Sequence, residues 1–294
     1  MFLSRIGALL LSLFMSLTLP VTAQSGPPPA AVFGQTASGA LSVDLNGRQL
    51  LIDGRRWAGT NWPVVSKALA AVMQELDAGL GTPRTTPVHL YHASFAGRSV
   101  NYPMTVEKNG HTEIYLATGQ NYWSQFVYQF AHEYLHYAAG RHFHAADRFG
   151  WFEETLGELA ALYALERLGD AGFQDDRLAN YQHHFAGYAH QVLERNELRQ
   201  TTAPWEFLPA WLDDLGRERY DRPRNRAVAE RLLPAFRKDP TLWAAVPYLR
   251  HIEEDACPDF TAYVDRWLAL LPVELRERVA GLELTRAVEA PVLR

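Results

Sequence analysis

Past Thr118 the apolar residues of this chain change their period from two to between three and four, and the period does not change back. A strand turns successive side chains to opposite faces, whereas a helix returns to one face every three to four residues. The switch therefore divides a strand-bearing first part from a helical remainder. In the first part, "LSVDLNGRQLLIDG" (residues 41–54) alternates around Asn46-Gly47, which predicts a β-hairpin. A helix is expected over Pro63 to Leu80, with the proline in its first turn. "TPVHLYHAS" (86–94) and "TEIYLAT" (112–118) read as strands, the second following another Asn-Gly turn. Helices are then expected over 122–139, 152–168 and 176–199, with more out to Ala280, interrupted at Pro204, Pro223, Pro240 and Pro272. Strands and one helix first, helices afterwards, is an α+β arrangement: a small N-terminal mixed sheet with helices over 41–170, then a mainly helical C-terminal lobe over 171–294.

The first 23 residues carry one positive charge at Arg5, an apolar run from Ile6 to about Leu19, and small residues before Gln24. This is the pattern of a signal peptide, too short in its apolar run to span a bilayer, and it predicts an exported, periplasmic or extracellular protein without a membrane anchor after cleavage. Residues 24–40, rich in Pro, Gly and Ser, are expected to be a flexible leader. Cys257 is the single cysteine, so no disulfide can form within the chain, which fits export from a bacterium. Its acidic surroundings disfavour a thiolate nucleophile. A net charge of -5 gives no basic footprint for nucleic acid. Glycine-rich phosphate loops and the serine-hydrolase elbow are missing from the sequence, and its acidic pairs lack the alternation of a calcium loop.

Chemistry enters at "FAHEYLH" (130–136). Trp123, Phe126, Val127, Phe130, Ala131, Tyr134, Leu135 and Ala138 make one helical stripe, and Gly140 follows where a C-terminal cap is expected. On such a helix His132 and His136 lie one turn apart on one face, able to aim two imidazoles at a point, with Glu133 beside it. Catalytic zinc takes three protein ligands and leaves a fourth position open, so a third ligand is required. His142 stands at the spacing of the long metzincin pattern, but Ala139 occupies the position where that pattern needs glycine, and all four methionines lie upstream of the motif. The other candidates are in "WFEETLGELAALYALERLG" (151–169): Glu153 and Glu154, with Glu158 one turn beyond.

This stretch, a short loop after the first helix, resembles the W-L-x-E-G-x-A-E segment of gluzincin metallopeptidases, and the resemblance covers roughly residues 113–168. It implies a zincin-like fold, a Zn²⁺ ion on His132, His136 and Glu154, and Glu158 behind a ligand histidine to fix its tautomer. Glu153 stands where the family commonly has Asn, and the spacing from His136 is slightly short, so Glu153 stays open as an alternative ligand beside His142. The implied reaction is peptide-bond hydrolysis by zinc-activated water with Glu133 as general base. In the family a Tyr or His further along stabilises the oxyanion; Tyr181, His183, His184, Tyr188, His190 and Tyr220 are candidates here. The strand at 112–118 would be the edge against which such enzymes pair a peptide. The G-x-M-E-N stretch of aminopeptidase members is missing, which favours endopeptidase action on a peptide or protein substrate. Two alternatives stand beside this reading: a catalytically silent binding protein on a zincin fold, and a zinc hydrolase of a non-peptide amide.

Overall fold

A computed structural model describes residues 31–284 except 37–38, 46, 82–83, 97–99, 109, 141–147, 201–210 and 213, with only the backbone at 199 and 200. The expected signal segment, most of the leader, and His142 and His144 lie outside the described residues. Six strands form one sheet: β1 (Val32–Gln35), β2 (Leu41–Leu45), β3 (Arg48–Ile52), β4 (Val88–His92), β5 (Met104–Lys108) and β6 (His111–Leu116), in the order β1-β2-β3-β4-β6-β5. The hairpin at Gly47 pairs β2 with β3, and its glycine takes the left-handed conformation (φ 77°) that the tight turn requires. β3, β4 and β6 run parallel to one another, while β1 and β5 close the two edges antiparallel to their neighbours.

Two sequence expectations are corrected here. The leader is not flexible throughout, because Val32–Gln35 pairs with β2 as an edge strand. Nor is the 112–118 strand an edge. It forms β6, hydrogen-bonded to β4 on one side and β5 on the other. The outer edge belongs to β5, whose "MTVEK" is too short and too polar to stand out as a strand in sequence.

The helices described from end to end are α1 (Trp62–Leu80), α2 (Trp123–Ala139), α3 (Gly150–Gly169), α4 (Asp176–Glu194), α5 (Arg222–Lys238), α6 (Phe260–Leu270) and α7 (Val273–Ala280). A run of 3-10 turns over Pro240–His251 lies between α5 and α6. One sheet face, carrying Val43, Leu50, Ile52, Leu90 and Ile114, is fully buried with Val65, Leu69 and Val72 of α1 and Phe126 and Phe130 of α2 in one cluster. That cluster continues without a break to Leu284, so the helical half shares the core of the sheet half. At its centre is α3, packed against α1, α2, α4 and α5, with 17 of its 20 residues buried. A helix with apolar residues on every side and three acids among its buried residues occupies such a position. No helix among the described residues is long and apolar enough to cross a membrane.

Gly79, in the last turn of α1, shows how closely the C-terminal half is seated. A Cβ there would meet the Pro240 carbonyl oxygen at 2.5 Å and the Trp243 side chain at 2.8 Å. Alanine favours a helix over glycine by about 1 kcal/mol, yet Gly79→Ala should destabilise the protein by about 1–3 kcal/mol through overpacking. A urea unfolding midpoint that rises instead would show that this contact gives way freely.

Candidate metal centre

α2 is set in rotation by contacts on the side away from the site. Tyr134, inside the His-Glu-x-x-His stretch, donates its hydroxyl hydrogen bond to Asp77 of α1 (2.9 Å) and accepts one from Arg48 of β3 (3.0 Å), and Arg48 and Asp77 are themselves ion-paired. With Tyr134, Phe130 and Tyr137 facing the interior, His132 and His136 emerge on the flank that meets α3. The helix ends at Gly140, left-handed at φ 64°, whose N–H donates to His136 and Tyr137 carbonyls. α3 is anchored at its start by Trp151 and Phe152, which pack on Phe260 and, for Phe152, on Trp267 of α6.

Between these helices His132, His136 and Glu154 converge, each buried, with one ligand atom from each lying within 4.8 Å of the others. Glu154 Oε2 is 3.2 Å from His132 Nε2, and its Oε1 is 3.7 Å from His136 Nε2. Ligand atoms on a tetrahedral ion at bond lengths of about 2.0–2.2 Å stand about 3.3–3.6 Å apart, so this spacing suits a metal ion between them. Both imidazoles turn Nε2 to the centre and Nδ1 to a carboxylate behind it. His136 Nδ1 is 3.1 Å from Glu153, and His132 Nδ1 is 3.9 Å from Glu158. A carboxylate at hydrogen-bond distance, as Glu153 is from His136, fixes the tautomer of a ligating histidine and makes it more basic; Glu158 stands beyond that distance from His132.

Glu153, the alternative ligand from sequence, thus lies behind His136, while Glu154 faces the centre. Glu158 stands behind His132; its Oε1 has no hydrogen-bond partner, while Oε2 accepts from the Tyr128 hydroxyl and from Arg226 Nε (3.1 Å). Arg226 also donates to Tyr128 (3.1 Å). Its burial opposes the guanidinium charge, but Glu158 and Tyr128 raise its pKa. The preceding residue, Asn225, accepts from Thr155 Oγ1 (3.3 Å) and donates to the Arg219 carbonyl (2.7 Å). α5 therefore holds both the ligand helix and the segment that carries Tyr220.

Of the six candidate oxyanion donors, Tyr220 interacts electrostatically with Glu154 and Glu133. Its pKa is raised by burial, lowered by Arg219, and raised again by Glu154 and Glu133. Tyr181 packs on Trp123, Tyr188 on Tyr128, and His183 and His184 stack on each other. His190 pairs with Glu194 on the surface of α4. Cys257 is buried, and desolvation raises its thiol pKa, in keeping with a packing role.

Three further residues of the site carried no sequence signal. Arg226 comes from a distant element, as does Thr105, whose hydroxyl donates to Glu133 (2.8 Å), and Gly157, though inside the 151–169 stretch, is not marked there as a neighbour of His132. A Cβ on Gly157 would strike the His132 ring at 2.8 Å (Cε1), 2.9 Å (Nε2) and 3.0 Å (Nδ1), so the imidazole lies directly on the α3 backbone. Comparison of the chain with protein-family models, curated proteins and solved structures returns no match.

Burial disfavours a charged His136, but Glu154 and then Glu153 outweigh it and bring the imidazole to about 9. Glu154 is likewise pushed up by burial and pulled down further by His136 and His132, to about 2. Because the folded pKa of His136 lies above its ordinary 6.5, its stabilising contribution is complete below that pH and is lost as pH rises through about 9. Chelator-treated protein should therefore lose stability between these values, and metal-loaded protein should not, as thermal melts would show. Metal uptake must displace the same proton, so apparent affinity should climb roughly tenfold per pH unit over this window and flatten above it. Gly157→Ala should lower metal affinity at least about tenfold, while leaving the fold intact; unchanged affinity in a competition titration would contradict the packing argument.

Proposed function

We propose that this chain is a zinc-dependent peptidase of the gluzincin kind. The observation that carries the reading is the convergence of His132, His136 and Glu154, with a carboxylate behind each imidazole and Glu133 buried on the adjoining turn. Two imidazoles and one carboxylate are the donor set of a catalytic rather than a closed structural zinc, which usually takes four protein ligands. A zinc ion held there supplies Lewis acidity and brings the pKa of a bound water towards ~7.

Glu133 is the base of the proposed reaction: it takes the proton of the attacking water and passes it to the leaving amine. Tyr220, exposed and in electrostatic interaction with Glu154 and Glu133, donates a hydrogen bond to the developing oxyanion. The outer edge of β5, a strand tied to Glu133 through Thr105, supports an extended peptide as substrate over a non-peptide amide, since free main-chain N–H and C=O groups recruit another strand. The N-terminal segment supports exported action. Glu133 itself argues against a silent binding protein, because a site without turnover has no use for a buried base at that position.

The test is metal analysis of purified protein beside Glu154→Gln and Glu133→Gln, each then assayed on a quenched mixed-peptide library. Wild type should hold one zinc, Glu154→Gln should lose most of it, and Glu133→Gln should keep it while kcat drops at least about 10²-fold. Tyr220→Phe should lower kcat by about 10²-fold with KM little changed. Normal zinc binding by Glu154→Gln would move the third ligand elsewhere, and bound zinc without cleavage of any peptide would sink the peptidase reading.

A further inference from the structure

The edge strand β5 reaches the base of the proposed reaction directly. Thr105 Oγ1 lies 2.8 Å from Glu133 Oε2 and 3.0 Å from the Glu133 main-chain carbonyl oxygen. One hydroxyl group thus sits between the head of a glutamate and that glutamate's own backbone. A glutamate side chain turns about three bonds, and its terminal torsion is soft, so a base of this type needs an outside contact to hold its carboxylate in one place. The hydroxyl has a single proton to donate, which it shares between these two acceptors, and Oε1 of Glu133 is left for other partners.

β5 is held rigidly enough to act as that outside contact. Thr105 is paired across the ladder with Ile114, a fully buried residue of β6. Two residues along β5, on the same side, Glu107 accepts from Thr112 Oγ1 (3.0 Å) and Arg84 (2.5 Å), and Arg84 also donates to the Tyr137 carbonyl of α2 (3.1 Å). The strand is therefore tied to α2 at two successive turns of the helix, at Glu133 and at Tyr137. Movement of the edge would move the carboxylate with it.

We infer that Thr105 is a positioning residue for the proposed hydrolysis: its hydroxyl fixes the rotamer of Glu133 and links that rotamer to the edge strand on which an extended substrate would pair. The inference rests on the peptidase reading for its catalytic consequence, but the geometric half can be tested without turnover. Thr105→Val keeps the shape and strand preference of the side chain and removes only the hydroxyl. Thr105→Ser restores it. Three readouts are taken on zinc-loaded wild type, both variants and Glu133→Gln: zinc affinity by competition, kcat and KM on the quenched peptide library, and the Glu133 rotamer in high-resolution crystal structures.

The expected result is that Thr105→Val binds zinc as wild type does, shows Glu133 rotated or spread over several rotamers, and loses about tenfold to a hundredfold in kcat at constant KM. Thr105→Ser should recover the single rotamer and most of kcat. An unmoved Glu133 carboxylate in Thr105→Val overturns the assignment, and so does an unchanged kcat beside an active wild type. Should wild type cleave nothing, the peptidase reading falls, and the crystal structures still decide whether the hydroxyl positions Glu133.

Discussion

Three carboxylates, those of Glu153, Glu154 and Glu158, lie on the most deeply buried helix of the molecule, and the surrounding elements are arranged around them. Removing a carboxylate from water costs several kcal/mol, and breaking a buried pair costs about 3–5 kcal/mol because the remaining charge has no partner. Each acid of α3 accordingly meets a group from another element: Glu153 meets His136, Glu154 meets both histidines of α2, and Glu158 meets Arg226 and Tyr128. The acids would also favour the positive end of a helix, but that effect of about 0.3–1 kcal/mol is too small to account for their burial. A core that places three acids beside two imidazoles and one guanidinium brings together His132, His136 and Glu154, a group that could hold a metal ion.

The C-terminal half takes part in this arrangement. Consecutive residues at the start of α5 do different work: Arg226 secures the carboxylate behind His132, and Asn225 joins the ligand helix to the segment leading into α5. Asp221 caps α5 by accepting from the Arg224 N–H, which sets where that helix begins and so where both side chains project. On the opposite flank the Arg48, Asp77 and Tyr134 cluster fixes α2 against α1 and β3. The two helices that bring the metal-facing groups together are thus each clamped from behind by polar groups of the other layers.

Much of this was legible in the sequence where the signal is local. The apolar stripe from Trp123 to Ala138 placed α2 within a residue of its ends, Gly140 marked its stop, and the i, i+4 pair Glu154/Glu158 marked the face of α3 that meets it. The choice between Glu153 and Glu154 was not legible, since neighbouring residues on a helix differ by about 100° and only the azimuth of α3 against α2 decides which one faces the centre. Strand order was hidden for the same reason: β6 has the alternation of a half-buried strand whether or not β5 lies outside it. Thr105, Gly157 and Arg226 act through contacts between distant parts of the chain, and no periodicity records such contacts.

The guanidinium that secures Glu158 arrives 68 residues after it in the chain, and 98 after Tyr128. Translation therefore makes the histidines and the three acids of the centre well before it makes the cation that holds the carboxylate behind His132. A ribosome-bound or truncated chain ending ahead of Tyr220 carries His132, His136, Glu153, Glu154 and Glu158 without Arg226 and without Tyr220. Order of synthesis in this protein thus separates possession of the converging side chains of α2 and α3 from possession of the cation that holds Glu158.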